Sequence, residues 1–140
     1  MDLPRDEMAF RKRYQQLVVD RQLTTVFRPG NRIFPKHRGY KLNEVITARI
    51  IEQPGSDENN VAPLFNDIKM PVQIAAIETV NIEDLAPAHF DGSSPDVQTV
   101  QQLVDHLESI YDQSMGQFDN EVTRISFMYL SAAKSAQQRF

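Results

Sequence analysis

The 140-residue chain contains no cysteine, and this absence removes several classes of chemistry at once. Disulfides, thiolate zinc sites and cysteine nucleophiles are all excluded. No apolar run approaches the roughly 18 to 20 residues of a membrane-spanning helix. The first seven residues are too charged for a signal peptide. We therefore expect a cytoplasmic protein with no membrane association, of a length that fits one domain.

A second absence is local, because Asp and Glu are missing from the segment between Arg21 and Asn43. Six cations lie in that segment: Arg21, Arg28, Arg32, Lys36, Arg38 and Lys41. The rest of the chain keeps nine basic residues against 19 acidic ones, so it carries about −10 while the segment carries +6. A charge distribution this uneven predicts an anion-binding face, and phosphate is the biological anion to expect. The alternative is a solvated loop that balances nearby carboxylates.

The composition of residues 32–41 favours nucleic acid as the source of that phosphate. Phe34 and Tyr40 alternate with cations there, which is typical of surfaces that stack exposed bases and hold their phosphates. His37 is a candidate for stacking or for binding a phosphate. Each aromatic also has a purely structural interpretation, in which it anchors the loop to the core.

Apolar periodicity and turn residues predict the order of elements. An amphipathic helix is expected from Pro4 to about Arg21, and a helix capped by Ser94, with Pro95 at its first position, should run to Tyr111. Asn81 should cap a short turn, and Ser56 to Asn66 is expected to be a loop. Strands are expected over Thr24–Arg28, Glu44–Glu52, Met70–Val80 and Glu121–Leu130. Short links favour antiparallel pairing, so we expect an α+β fold: a small, curved β-barrel or sheet with flanking helices.

That order of elements resembles the ASCH domain family of the PUA-like β-barrel superfamily. One part of the likeness is a Thr-containing strand that closes on an arginine, here Thr24, Thr25 and Arg28. The other parts follow in the same order along the chain: residues 41–46, residues 77–80, Leu85, His89, the 103–111 helix and the 125–127 strand. Asn43 and Glu44 stand where the family usually has Gly and Asp. The resemblance covers about Gln22 to Leu130 and leaves residues 1–21 as an added N-terminal helix and 131–140 as a tail.

The resemblance implies nucleic-acid handling in a cleft between barrel and helices, and in one branch the hydrolysis of acetylated cytidine. That branch uses a Lys-Thr-Glu arrangement, whose positions fall on Leu23, Val26 and near Ser93 in this chain. None of the three residue types matches, so we predict no catalytic residues of that kind. A shifted register would leave Gln22 near the amine position, and an amide cannot act as a general base.

The sequence contains no clear pattern for a metal site, a nucleotide-phosphate loop or a pair of catalytic carboxylates. The three histidines, His37, His89 and His106, lack metal-ligand spacing, and no glycine-rich phosphate loop is present. The acidic pairs Asp57-Glu58 and Glu83-Asp84 fall in turns, where solvation is the default. We therefore expect no metal and no cofactor.

The leading hypothesis is a non-catalytic PUA-like module that binds RNA or single-stranded nucleic acid through Arg21, Arg28, Arg32, Lys36, His37, Arg38, Tyr40 and Lys41. One alternative is a hydrolase of a modified nucleoside or RNA, with an altered site at Thr24, Thr25 and Arg28. The other is a protein-interaction module whose basic face docks on an acidic partner.

Overall fold

The structure is a computed structural model that describes residues 6–36, 38–56 and 58–130. Its strands are β1 (Glu7–Arg11), β2 (Thr25–Pro29), β3 (Val45–Gln53), β4 (Leu64–Asn81) and β5 (Glu121–Tyr129), and its α-helices are α1 (Gln15–Val19) and α2 (Val100–Tyr111). Short 3₁₀ turns span Lys12–Tyr14, Ile82–Asp84, Pro87–Phe90 and Met115–Phe118. The strands form one mixed sheet in the order β1-β3-β4-β5-β2. The predicted α+β class, a curved sheet with flanking helices, is thereby confirmed.

The prediction of an N-terminal helix is wrong over its first half, because residues 7–11 form strand β1. Met8 and Phe10 are buried while their neighbours are half-buried, which is the two-residue alternation of a strand. The strand pairs in parallel with β3, from Glu7 opposite Thr47 to Arg11 opposite Ile51. Helical structure begins only at Lys12, and Pro4 lies outside the described residues.

The parallel pairing also corrects the expectation of an antiparallel sheet. Strand β2 pairs with β5, and β3 with β4, in the antiparallel sense as expected. The β1–β3 pair is parallel, and the chain between the two strands is long enough for the crossover that parallel strands require. Two register shifts interrupt the β3–β4 ladder near Ile51, and bulges of this kind bend a strand.

Two element boundaries differ from the prediction. Strand β4 begins at Leu64 instead of Met70, because the far end of β3 pairs with it through Ile51 opposite Phe65. Helix α2 begins at Val100, and Thr99 is its N-cap, accepting a hydrogen bond from the Gln102 N–H at 3.1 Å. Ser94 does not cap that helix; its hydroxyl bonds the Asp96 carboxylate instead. The cap that Asn81 was expected to supply is present, since its side chain accepts from the Glu83 N–H.

The described chain divides into two compact units. Unit 1 holds described residues up to Gln22, Val45–Gln73 and those from Met128 onward, and unit 2 holds Leu23–Glu44 and Ile74–Phe127. Unit 2 has an apolar cluster that joins β2, α2 and β5: Phe27, Phe90, Val97, Leu103, Leu107, Met115 and Val122. The single-domain organisation stays a prediction, and the tail 131–140 lies outside the described residues.

In the part of the chain that the structure describes, no helix has both the length and the apolar character needed to cross a bilayer.

Candidate nucleic-acid interface

The segment from Gly30 to Glu44, which we call the basic loop, leaves the end of β2 and is fixed to β5 by one threonine. Thr123 is fully buried, and its hydroxyl donates to the Gly30 carbonyl at 2.6 Å and accepts from the Arg32 N–H at 2.8 Å. The Gly30 N–H in turn donates to the Glu121 carbonyl at 2.7 Å. Because Arg28 stands opposite Thr123 in the β2–β5 ladder, its side chain lies on the same face as that hydroxyl. One buried threonine therefore brings Arg28 and Arg32 together.

The two arms of the basic loop are hydrogen-bonded to each other. The Tyr40 N–H donates to the Arg32 carbonyl at 2.8 Å, and the Phe34 N–H donates to the Tyr40 carbonyl at 3.0 Å. Gly39 is needed at this closure, because a Cβ there would lie 2.7 Å from the Lys36 carbonyl oxygen and from the Phe34 nitrogen. The tip of the loop is thus short and held at its base.

Three arginines and two tyrosines are electrostatic neighbours: Arg28 and Arg32 act on the Tyr40 phenol, and Arg28, Arg38 and Tyr111 act on Arg32. Arg32 places its Cζ 5.8 Å from the centroid of the Tyr111 ring at the end of α2. Partial burial lowers the pKa of Arg32; Tyr111 opposes this effect, and the positive charges of Arg28 and Arg38 add to it. Burial raises the pKa of Tyr40, which Arg28 and Arg32 counteract and the Glu44 carboxylate reinforces. We call Arg28, Arg32, Arg38, Tyr40 and Tyr111 the arginine–tyrosine cluster.

The two aromatic residues of the loop have different surroundings. Tyr40 is 8% exposed, so its ring belongs to the interior of the loop. Phe34 is 43% exposed, and the Lys41 Nζ lies 4.5 Å from its ring centroid. Lys36, Arg38 and Lys41 are exposed around it. Phe34 is therefore the more exposed ring of the two.

Four of the predicted binding residues are not placed in this cluster, and two of them, Lys36 and Lys41, are exposed on the basic loop. Arg21 belongs to unit 1, where its N–H donates to the Val18 carbonyl at the end of α1. His37 lies outside the described residues.

The residues proposed as an altered active site, Thr24, Thr25 and Arg28, do not present their side chains on one common face. Thr25 is buried, and its hydroxyl lies 3.1 Å from the Ser126 hydroxyl. Thr25 and Arg28 are three residues apart on β2, so their side chains project from opposite faces of the strand. Thr24 lies against Gly92, whose carbonyl accepts from the N–H groups of both threonines. The three residues are held by separate structural interactions.

The positions that the resemblance assigns to a hydrolase carry apolar side chains in the interior. Leu23 is 4% and Val26 8% exposed, so neither offers a polar atom to a substrate. Ser93 donates its hydroxyl to backbone carbonyls within its own turn.

The remaining histidines have structural surroundings. His89 accepts a hydrogen bond at Nδ1 from the Ala86 N–H at 2.8 Å, and its Nε2 lies 3.6 Å from Glu78 Oε1. Its carbonyl accepts from the Arg124 guanidinium at 2.7 Å. His106 lies off the apolar stripe of α2, a position that predicts full exposure, yet it is half-buried. Among the described residues, no three His, Asp or Glu side chains are grouped as metal ligands would be.

Sequence reasoning missed Tyr111 and Thr123 as parts of this region. Tyr111 belongs to the apolar stripe of α2, and Thr123 to the alternating pattern of β5, so each had a sufficient structural explanation. No local signal links either residue to a loop some 70 to 90 positions earlier in the chain.

The architecture defines a small α+β protein with a mixed five-stranded sheet. No protein-family model matches the chain, and no curated protein matches it either. Its fold is similar to the crystal structure of protein EF3133 from Enterococcus faecalis V583, described with the family model DUF984; the TM-score is 0.50 at 11% identity, over 85% of this chain and 71% of that one. The solution structure of protein PF0455 from Pyrococcus furiosus gives a TM-score of 0.47 at 16% identity, over 89% and 96% of the two chains. At such identities the likeness concerns the fold alone.

Proposed function

We propose that this chain is a non-catalytic, PUA-like module of the ASCH type that binds RNA or single-stranded nucleic acid through the basic loop. The observation that carries the proposal is the gathering of positive charge at Arg32, which lies over Tyr111 and has Arg28 and Arg38 as electrostatic neighbours. Phosphate groups are the ligand that such a gathering suits, since the guanidinium fork matches phosphate oxygens in pairs.

The exposed rim of the loop supports a single strand over a duplex. Phe34 offers a ring face beside Lys41, and base–aromatic stacking contributes about 1 to 3 kcal/mol per base. Bases in a duplex are already stacked on one another, so this contribution is available chiefly to unpaired bases. Lys36 and Lys41 are compact point charges suited to the neighbouring backbone phosphates.

The overall charge of −4 restricts where nucleic acid can bind. Outside residues 21–43 the chain is strongly acidic and repels a polyanion, so binding should depend on the cations of that segment.

Fluorescence anisotropy with labelled single-stranded RNA, single-stranded DNA and duplex RNA at two salt concentrations tests the proposal. We expect the single strands to bind best, and their affinity to fall steeply with salt. The double variant Lys36→Glu, Arg38→Glu should weaken binding and reduce the slope of log K against log salt by about 0.7 for each phosphate that the variant no longer neutralises.

Lys69→Glu is the matched control for the single variant Lys36→Glu, because both change the net charge by the same amount and Lys69 is exposed on β4 in unit 1. It should leave the affinity nearly unchanged. Equal weakening by the control and the loop variant would indicate a non-specific effect of net charge, and no binding to any of the three nucleic acids would overturn the proposal. In that case an acidic partner protein becomes the ligand to test.

A further inference from the structure

The backbone of the basic loop has a left-handed conformation at Arg38, where φ is +58°. In this region Cβ approaches the following carbonyl oxygen; glycine avoids the contact, and Asn and Asp offset it by local hydrogen bonds. Among the described residues, seven that are not glycine have positive φ, and five of them are of the tolerant types: Asn43, Asn60, Asp112, Asp119 and Asn120. The other two are arginines, Arg21 and Arg38, a residue type that this conformation does not favour.

Arg21 has a structural explanation for its conformation. It follows α1, where its N–H donates to the Val18 carbonyl at 3.0 Å, and helices commonly end on a left-handed residue. A cation at the end of a helix also interacts favourably with the carbonyl groups there. In the described part of the basic loop no helix precedes Arg38, so this explanation does not extend to it.

The turn that contains Arg38 accounts for the left-handed backbone but not for an arginine. The Gly39 N–H donates to the Lys36 carbonyl at 2.9 Å, which closes a four-residue turn with Arg38 at its third position. Turns with a left-handed third residue usually have Gly or Asn there. The Arg38 side chain is exposed, so a smaller residue would fit in its place. The backbone therefore favours a different residue at position 38.

Disfavoured backbone conformations cluster at binding and catalytic sites, where the side chain that they present has a use. For Arg38 that use is either a contact within the protein or a contact with a ligand. The side chain is exposed on a loop that also carries the exposed cations Lys36 and Lys41. Unlike a lysine, an arginine offers a planar fork of donors that pairs with two phosphate oxygens at once.

We propose that Arg38 is a ligand-contact residue, retained at a left-handed position at the expense of stability, and that its guanidinium fork pairs with a phosphate of the bound strand. This inference rests on the proposed function and makes it specific, because it assigns to one residue of the loop an exchange of stability for affinity. Removal of the Arg38 side chain should therefore change stability and binding in opposite directions.

Two variants separate the effect of the backbone from the loss of charge. Arg38→Asn and Arg38→Gln remove the same charge, but asparagine tolerates left-handed backbone better than glutamine does. In urea denaturation, Arg38→Asn should have a higher midpoint than both Arg38→Gln and the parent protein. Asn60→Gln is the mirror control, because Asn60 has a φ of +56° at an exposed position. This neutral exchange should lower the midpoint by about the amount that separates the two Arg38 variants.

Fluorescence anisotropy with labelled single-stranded RNA measures the opposite effect on binding. The Kd of Arg38→Asn and of Arg38→Gln should each rise about tenfold, which is the loss of one charge-assisted hydrogen bond. Arg38→Lys should lose part of the affinity, because lysine keeps the charge but not the fork. Lys69→Gln removes one charge from an exposed position of β4 and should bind as the parent protein does.

The outcomes distinguish this inference from the proposed function. A midpoint for Arg38→Asn no higher than that of Arg38→Gln would mean that the left-handed backbone carries no cost. A midpoint at or below that of the parent would mean that contacts of Arg38 within the protein offset the cost. Either result overturns the inference, as does an unchanged affinity in both variants, which leaves nucleic-acid binding intact. Failure of the parent to bind single-stranded RNA, single-stranded DNA and duplex RNA would overturn both.

Discussion

Two arginines, one in each unit, are partly buried and lie over aromatic rings, yet their electrostatic surroundings are opposite. In unit 1, the Cζ of Arg49 lies 5.0 Å from the Phe65 ring centroid, and its Nη1 donates to Glu7 Oε2 at 2.9 Å. In unit 2, Arg32 lies over Tyr111, and the neighbouring charges that lower its pKa are those of Arg28 and Arg38. The first arginine is compensated by a carboxylate, and the second lies among like charges.

The difference separates a structural ion pair from an arginine with positively charged neighbours. The Glu7–Arg49 pair joins adjacent strands β1 and β3, with side chains only 21% and 16% exposed, so it stabilises the strand that sequence analysis took for a helix. Arg32 instead has the like charges of Arg28 and Arg38 acting on it. Its backbone hydrogen bonds with Thr123 and Tyr40 hold its part of the basic loop in place.

The largest effect that we predict comes from breaking the compensated pair. Glu7→Ala should lower the free energy of unfolding by about 2 to 3 kcal/mol, because it leaves Arg49 partly buried without its carboxylate. Arg49 Nε is already buried without a hydrogen-bond partner among the described residues, so the loss adds to an existing deficit. Arg38→Gln should leave stability unchanged or slightly higher, since it removes repulsion. Urea denaturation measures both.

Glu52→Ala is the control for that prediction, because Glu52 pairs with Lys12 at an exposed position and should matter little. A similar loss of stability in Glu52→Ala and Glu7→Ala would show that the partial burial of the Arg49 pair has no special effect. A loss of stability in Arg38→Gln as large as in Glu7→Ala would show that removing a charge near Arg32 has the same effect as removing the carboxylate beside Arg49. The contrast between Arg32 and Arg49 would then be lost.

A smaller effect should come from opening the loop that holds Arg32. Gly39→Ala places a methyl group against three backbone atoms and should cost about 1 to 2 kcal/mol, since backbone must move to admit it. Nucleic-acid affinity should fall as well, because Arg32 and Tyr40 lose their mutual hydrogen bond. Gly116→Ala is the matched control, as the nearest atom to its new methyl group, Ser114 Oγ, is 3.8 Å away. Urea denaturation measures the change in stability, and fluorescence anisotropy measures the change in affinity. Unchanged binding in Gly39→Ala would mean that loop closure does not organise the site.

The smallest effect concerns alkaline pH and contrasts a tyrosine of each unit. Burial raises the pKa of Tyr129 to about 12 in unit 1 and raises that of Tyr40 in unit 2. A folded-state pKa above the unfolded value of about 10 means that the unfolded chain releases its proton first. Stability should therefore be intact below pH 10 and decline as pH rises from 10 towards 12. Tyr129→Phe should reduce the decline in a pH series of denaturation curves, and an identical decline in the variant would assign it to other groups.

The strands and the long helix were predictable where the pattern was local and extended. The alternation over β5 and the apolar stripe of α2 each span about nine residues or more; β5 lies where expected, and α2 ends at Tyr111 as expected but begins later than predicted. Strand β1 has five residues, too few to distinguish a strand from the start of a helix, and its pairing with β3 decided the outcome. Local periodicity carries no information about such a distant partner.

The candidate site was predictable in its charge and unpredictable in its construction. Composition identified the cations of the basic loop, but it left Phe34 and Tyr40 equivalent, and only the folded chain distinguishes the exposed ring from the buried one. Tyr111 and Thr123 come from α2 and β5, so their contribution depends on the sheet register and on the end of the helix.

The fixed base of the basic loop has a consequence for protein engineering and for sequence variation. Since Thr123, Arg32 and Tyr40 hold the arms of the loop, we expect changes of length at its tip to leave the backbone of Arg32 in place. Thr123 is then the residue that any transplanted version of this loop must bring with it.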